Sequence, residues 1–184
     1  MPYTRYVSVS IIFVFALFMV SVLTVSQAIG AEKTYNAEIF HSSGYPLPRF
    51  VSFLSDEANV RTGPGKKYPI KWVVKQEGLP VEVIREFEHW RLIKDHEGEE
   101  GWVFKTLLSG KRMALIHSDF HVKAYATEDY KDQEKPNVSM MLEPLCLVEV
   151  RSCKEDMCQI FASDLLGWIE RKSLWGVYAD ENFD

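Results

Sequence analysis

The chain has 184 residues, of which 47% are hydrophobic, 26% charged and 13% aromatic, and its formal net charge is -5. This composition excludes a disordered chain, which would carry far fewer aromatic residues. The acidic balance argues against a nucleic-acid partner, because phosphate binding needs an excess of lysine and arginine. The length leaves room for one or two small domains.

The N-terminus has the pattern of a secretory signal peptide. Arg5 precedes an uncharged apolar run over residues 7–25, and small residues follow at Ser26 and Ala28. The apolar run is also long enough to span a bilayer, so an uncleaved anchor is the alternative. We therefore predict that residues 1–30 are a signal peptide or anchor. The protein is then periplasmic or secreted, and it contacts a membrane only if this segment is uncleaved.

The remainder of the chain contains two similar series of short segments. The first series lies at 59–61, 78–83, 90–93 and 100–103, and the second lies at 121–123, 143–148, 157–160 and 166–169. Each series ends on a Gly-Trp pair, which suggests tandem units. In this alignment Lys123 is the equivalent of Arg61, and Met157 is the equivalent of Trp90.

These segments predict an all-β fold. They are rich in β-branched and aromatic residues, and turn residues such as Gly63-Pro64-Gly65 separate them. No stretch beyond the signal segment keeps a 3.6-residue apolar period, so we expect no helix longer than a single turn near residues 106–108. Several short strands within about 60 residues indicate a small barrel.

Residues 54–103 resemble the bacterial SH3 (SH3b) domain. The resemblance rests on Asn59-Val60-Arg61, the Gly63-Pro64-Gly65 turn, Tyr68-Pro69 and the Gly101-Trp102-Val103 strand. Nearly all of the chain after the signal segment is similar to a family of exported bacterial SH3-like domain proteins, through the segments 47–52, 78–82, 108–112 and 174–178. The resemblance implies two SH3-like barrels and a periplasmic location, and it implies no activity.

The resemblance also suggests domain boundaries. We predict an N-terminal extension at 31–49, a first SH3-like domain at 50–110, a degenerate second SH3-like domain at 111–178 and a C-terminal tail at 179–184. The second domain is degenerate because it lacks the Gly-Pro-Gly turn and has Lys123 and Met157 in place of Arg61 and Trp90. Since a unit of this size is marginally stable alone, we expect the two units to pack together.

The cysteines predict one disulfide. Cys153 and Cys158 flank a short polar stretch between two strand-like runs, and a hairpin would bring them within bonding distance. Zinc is the alternative, but this pair has no second pair of ligands nearby. Cys146 is then a buried free thiol, and no metal site is predicted.

Aromatic residues of the first unit are the candidate ligand contacts. We predict that Tyr68, Trp72 and Trp90 line a groove between the long loops, with Arg61 as a polar partner. The alternative is structural, because large aromatics in a small barrel usually belong to the core and Arg61 could brace its loop. We expect the first unit to carry the binding site, since the second has lost these residues.

Catalysis is not predicted. The five histidines have no nucleophile or metal spacing, no Gly-x-Ser-x-Gly motif is present, and no cofactor is implied. The sequence predicts a non-catalytic exported binding module, with peptidoglycan or its peptides as the ligand in the cell envelope. The alternatives are a protein-interaction or scaffold protein of the envelope and, less favoured, an enzyme of a type that the sequence does not reveal.

Overall fold

The structure is a computed structural model that describes residues 43–184. The predicted signal segment and residues 31–42 of the predicted extension lie outside the described residues. Within them the chain forms strands joined by turns and three short 3₁₀ turns, at Lys105–Leu107, Tyr130–Asp132 and Arg171–Ser173. The prediction of an all-β fold is confirmed.

Fourteen strands of the described part form two antiparallel sheets of seven strands each. The first sheet, here the first unit, has the order β3-β2-β6-β5-β4-β1-β7, and the second unit has the order β10-β9-β13-β12-β11-β8-β14. The two orders correspond strand by strand. The strands are β1 (Arg49–Phe53), β2 (Ala58–Arg61), β3 (Ile70–Val74), β4 (Pro80–Phe87), β5 (Trp90–Lys94), β6 (Glu100–Phe104), β7 (Leu108–Ser109), β8 (Met113–Ile116), β9 (Val122–Tyr125), β10 (Val138–Leu142), β11 (Leu147–Lys154), β12 (Met157–Ala162), β13 (Leu165–Glu170) and β14 (Leu174–Trp175).

Strand pairing shows which residues of the two units are equivalent. Arg61 of β2 pairs with Trp102, and Tyr125 of β9 pairs with Trp168 of the second Gly-Trp strand. Tyr125 is therefore the counterpart of Arg61. The alignment that placed Lys123 there is wrong by two residues, because it followed similarity of residue type and not the pairing between strands.

Each unit has its own apolar core. Alternating side chains of the strands point inward, as expected for strands with one buried face. The core of the first unit consists of Phe53, Ala58, Val60, Val74, Val81, Val83, Ile93 and Val103. The core of the second consists of Ala114, Ile116, Ala124, Leu142, Val148, Val150, Cys153, Cys158, Ile160, Ile169, Leu174 and Val177.

Aromatic residues join the two units. The ring of Phe50 lies 5.2 Å from that of Trp175 and 4.7 Å from that of Tyr178. The Tyr178 hydroxyl donates a 2.9 Å hydrogen bond to Oε1 of Glu82, which is buried. The first unit supplies Phe50 and Glu82 and the second supplies the other two, so the units pack against each other.

The predicted C-terminal tail is attached to the second unit. The buried guanidinium of Arg171 donates to the backbone carbonyls of Tyr178, Ala179 and Glu181. Phe183 exchanges two backbone hydrogen bonds with Cys153. The last residues of the chain therefore complete the second unit.

Candidate ligand-binding surface

Arg61 braces the β2–β3 loop of the first unit. It ends β2, and its Nη1 donates hydrogen bonds to the backbone carbonyls of Tyr68, at 2.8 Å, and Lys66, at 3.3 Å. The guanidinium thus ties both ends of the loop together. The structural alternative for Arg61 agrees with this geometry, although the side chain stays half-buried and not fully enclosed.

Tyr68 packs its ring on the glycine turn of the same loop. A Cβ atom at Gly63 would lie only 2.5–2.7 Å from three ring carbons of Tyr68, and one at Gly65 would lie 3.4 Å from the ring. Gly63 is needed because the ring occupies the space of its side chain, whereas a Cβ at Gly65 would make an ordinary van der Waals contact. The Lys67 ammonium lies 5.3 Å from the ring centroid, within cation–π range. We call Arg61, Lys67 and Tyr68 the loop surface.

Trp72 lies on the inner face of the first sheet, away from the loop surface. It pairs with Val60, whose side chain is fully buried, and it packs against the first core. A Cβ at Gly101 would lie 3.0 Å from the indole ring, so this glycine makes room for it. Because successive strand residues point to opposite faces, Trp72 points inward whereas Arg61 points outward.

Trp90 is buried, with only 8% of its surface exposed. Its ring packs edge-on against Phe104 at 5.4 Å between centroids. The four predicted contact residues therefore do not all lie together in the structure. Arg61 and Tyr68 come together, Trp72 lies on the other face, and Trp90 is left out of the proposed surface.

The sequence reasoning missed an aromatic pair in the second unit. The rings of Tyr125 and Tyr130 stack at 3.7 Å with an interplanar angle of 4°. The Tyr130 hydroxyl donates a 3.0 Å hydrogen bond to Glu170. Hydrogen bonds from Lys131 and Lys172 hold the pKa of Glu170 at about 2. Tyr125 is equivalent to Arg61 because each pairs with the tryptophan of its Gly-Trp strand. An alignment by residue type does not use this pairing and therefore missed Tyr125.

A buried ion-pair cluster was also missed. The fully buried carboxylate of Glu86 accepts hydrogen bonds from Ser43 and Arg49 and lies 3.0 Å from Nε of Arg91. Burial alone would raise the pKa of Glu86, but the hydrogen bonds and the two guanidinium charges lower it to about 2. No periodicity or motif in the sequence marks these distant residues as partners.

The cysteine pair is bonded. Cys153 and Cys158 lie opposite each other on β11 and β12 with their Cα atoms 4.1 Å apart, and they form a disulfide. Cys146 is free and half-buried, and burial raises its thiol pKa.

Among residues 43–184 no group of three or more His, Cys, Asp or Glu side chains is placed to hold a metal ion. No helix formed by these residues has the length and apolar character needed to cross a membrane.

Comparison with known families supports the resemblance. The model of the family described as "Bacterial SH3 domain" matches residues 55–110, which include the loop surface and six of the seven strands of the first unit. The resemblance of this segment to the bacterial SH3 domain is confirmed. The match ends before the first strand of the second unit.

Other comparisons are distant. A search of curated proteins found no match. The structure of NlpC1 from Trichomonas vaginalis is similar at 10% identity and a TM-score of 0.33, over 74% of this chain and 49% of that one. That of NlpC2 from the same organism is similar at 9% identity and a TM-score of 0.32, over 76% and 52%. The chain thus spans about half the length of these proteins.

Proposed function

We propose that this protein is a non-catalytic binding module that works outside the cytoplasm, in the bacterial cell envelope, and binds peptidoglycan through its peptides. The observation that carries the proposal is the bacterial SH3 domain at residues 55–110. The disulfide between Cys153 and Cys158 supports an oxidising compartment.

The loop surface of the first unit is the proposed contact. Its elements favour a peptide ligand, because Tyr68 offers an aromatic face and Lys67 a cation for carboxylates. Arg61 fixes the loop through two backbone carbonyls, so little ordering of the loop is needed when a ligand binds. We propose that Trp72 and Trp90 support the fold and do not touch the ligand.

Co-sedimentation with purified cell-wall sacculi tests the proposal. Wild-type protein should sediment with the sacculi, and Tyr68→Ala should weaken binding by about tenfold, a typical loss for a central aromatic contact. Tyr45→Ala is the matched control, because Tyr45 is 65% exposed and lies outside the loop surface. Thermal melts of each variant must show an intact fold. Wild-type protein that stays in the supernatant would reject the proposal.

A second candidate function is a protein-interaction or scaffold role, and three exposed apolar side chains of the second unit favour it. Met141, Leu165 and Leu166 are between 48% and 53% exposed. By the strand register, Leu165 and Leu166 are the counterparts of Glu99 and Glu100 in the first unit, where Lys71 pairs with Glu99. Replacing Leu166 by Glu should then abolish partner binding without affecting sedimentation with sacculi.

A further inference from the structure

Strand β10 forms an edge of the second sheet. In the part of the chain that the structure describes, β9 is the one strand bonded to it, so the outer N–H and C=O groups of β10 have no partner strand. No residue of β10 carries a charge, and Val138 and Met141 are 40% and 53% exposed. Edge strands usually carry lysine or another charged side chain that prevents pairing with a second chain. β10 therefore lacks the usual protection of an edge.

The equivalent edge of the first unit has that protection. Strand β3 occupies the same place in the first sheet. The ammonium of Lys71, in β3, donates hydrogen bonds to the side chain of Glu99, at 2.7 Å, and to the backbone carbonyl of Glu100, at 3.0 Å. A strand added to β3 would bury these charges, which is unfavourable. The two units thus have the same edge strand with different chemistry.

The second unit keeps a hydrogen bond at this position and loses the charges. Ser139 is the equivalent of Lys71, because each is the extra residue where the register of its edge strand shifts. The Ser139 hydroxyl donates a 2.7 Å hydrogen bond to the backbone carbonyl of Leu166, which is the counterpart of Glu100. Leu165 and Leu166 are 48% and 52% exposed. Exposed apolar side chains therefore stand beside β10 where the first unit has an ion pair.

We propose that β10 pairs with β10 of a second copy of this chain, so that the two second sheets join edge to edge across a twofold axis. The apolar contact around the strand pair consists of Val138, Met141, Leu165 and Leu166. A twofold axis places the same strand opposite itself, so a charge on this edge would approach a like charge. An uncharged edge avoids that repulsion and offers a charged partner no opposite charge, and it therefore suits a copy of itself.

This inference names a partner for the apolar side chains that favour the second candidate function. It does not depend on the peptide contact proposed for the first unit, because none of the residues of the loop surface belongs to the strand pair. The strand pair adds backbone hydrogen bonds between the copies to the apolar contact, as in other cases of strand addition at a sheet edge.

Sedimentation velocity of the full chain at increasing concentration tests the pairing. Wild-type protein should form a dimer. Met141→Lys should raise the dissociation constant by about tenfold or more, because a symmetric interface contains the substitution twice. Val73→Lys is the matched control, since Val73 has the equivalent position on β3 and is 38% exposed. It should leave the dissociation constant unchanged.

Hydrogen exchange locates the contact between the copies. Amide exchange at residues 138–142 should slow as the dimer forms, whereas exchange at residues 70–74 should not change. If thermal melts show that Met141→Lys is unfolded, Leu166→Glu provides the same comparison from β13.

Three results would overturn the pairing. They are a wild type that stays monomeric at its highest soluble concentration, a dimer that neither Met141→Lys nor Leu166→Glu weakens, and slowed exchange confined to other segments. A monomer that binds a different protein through Leu166 would overturn the dimer and leave the second candidate function intact. Since these measurements use no sacculi, Tyr68→Ala should leave the dimer unchanged, and failure of the peptide contact gives a different result.

Discussion

Glu86 and Arg91 face each other across the β4–β5 hairpin at the position that Cys153 and Cys158 occupy across the β11–β12 hairpin. In both hairpins this pair stands one step before the final pair at the turn. In the first unit a buried ion pair joins the two strands at this position, with 3.0 Å between Arg91 Nε and Glu86 Oε1. In the second unit a disulfide bond joins them.

The ion pair predicts a pH dependence of stability. The pKa of Glu86 is about 2 in the fold against an ordinary 4.5, so its ionised form stabilises the fold by about 3 kcal/mol at neutral pH. Since the folded pKa is the lower one, this contribution is complete above pH ~4.5 and disappears as the pH falls towards 2. Glu86→Gln should lower the free energy of unfolding at neutral pH and flatten its decline in acid, as measured by urea unfolding.

Glu170→Gln is the control for this experiment. The pKa of Glu170 is also about 2, but its side chain is 24% exposed and solvent screens its ion pairs. Its replacement should therefore change the acid profile less. A Glu86→Gln profile parallel to that of the wild type would contradict the prediction.

The disulfide should contribute modestly to stability. It closes a short loop worth about 2 kcal/mol, and two serine hydroxyls would be buried in the core, so replacing both Cys153 and Cys158 by serine should lower the free energy of unfolding by more than about 2 kcal/mol. Cys146→Ser should have a smaller effect, because Cys146 is free and only half-buried. Denaturant unfolding measures both variants. Mass mapping of the unreduced protein should show the 153–158 bond, and a bond from Cys146 to either partner would show that the hairpin register is wrong.

The two Gly-Trp strands offer a matched pair of glycines. A Cβ at Gly101 would overlap Val60 and approach Trp72 to 3.0 Å, whereas one at Gly167 would meet Ala124 at 2.9 Å and the flexible end of Met140 at 3.3 Å. Gly101→Ala should therefore cost about 1–3 kcal/mol of unfolding free energy, and Gly167→Ala less. Thermal melts of the two variants test which one loses more stability, and a larger loss for Gly167→Ala would refute the prediction.

The contact between the units should be measurable. Tyr178→Phe removes the hydrogen bond to the buried carboxylate of Glu82 and should lower stability by about 1–3 kcal/mol. Tyr45→Phe, at an exposed tyrosine, should leave stability unchanged.

A fragment ending at Lys111 should melt below the full chain, because it lacks Trp175 and Tyr178. Equal melting temperatures for fragment and full chain would show that the two units do not stabilise each other.

Much of the fold follows from the sequence. Short runs rich in β-branched and aromatic residues, separated by Gly-Pro turns and without a helical period, indicate strands wherever they occur. The spacing of Cys153 and Cys158 between two such runs is a local feature, and it suffices to place them on a hairpin. Local patterns of this kind determine which segments are strands and where turns fall.

Only the tertiary structure decided which residues meet. The mistaken match of Lys123 to Arg61 is a shift of two residues, and a shift of two leaves every side chain on the same face. Periodicity therefore cannot detect it, and only the pairing of Tyr125 with Trp168 does. The stacking of Tyr125 on Tyr130 and the burial of Glu86 beside Arg91 likewise depend on partners brought by other strands and loops, because side-chain packing across the fold and turn geometry, and not local residue preference alone, set the register.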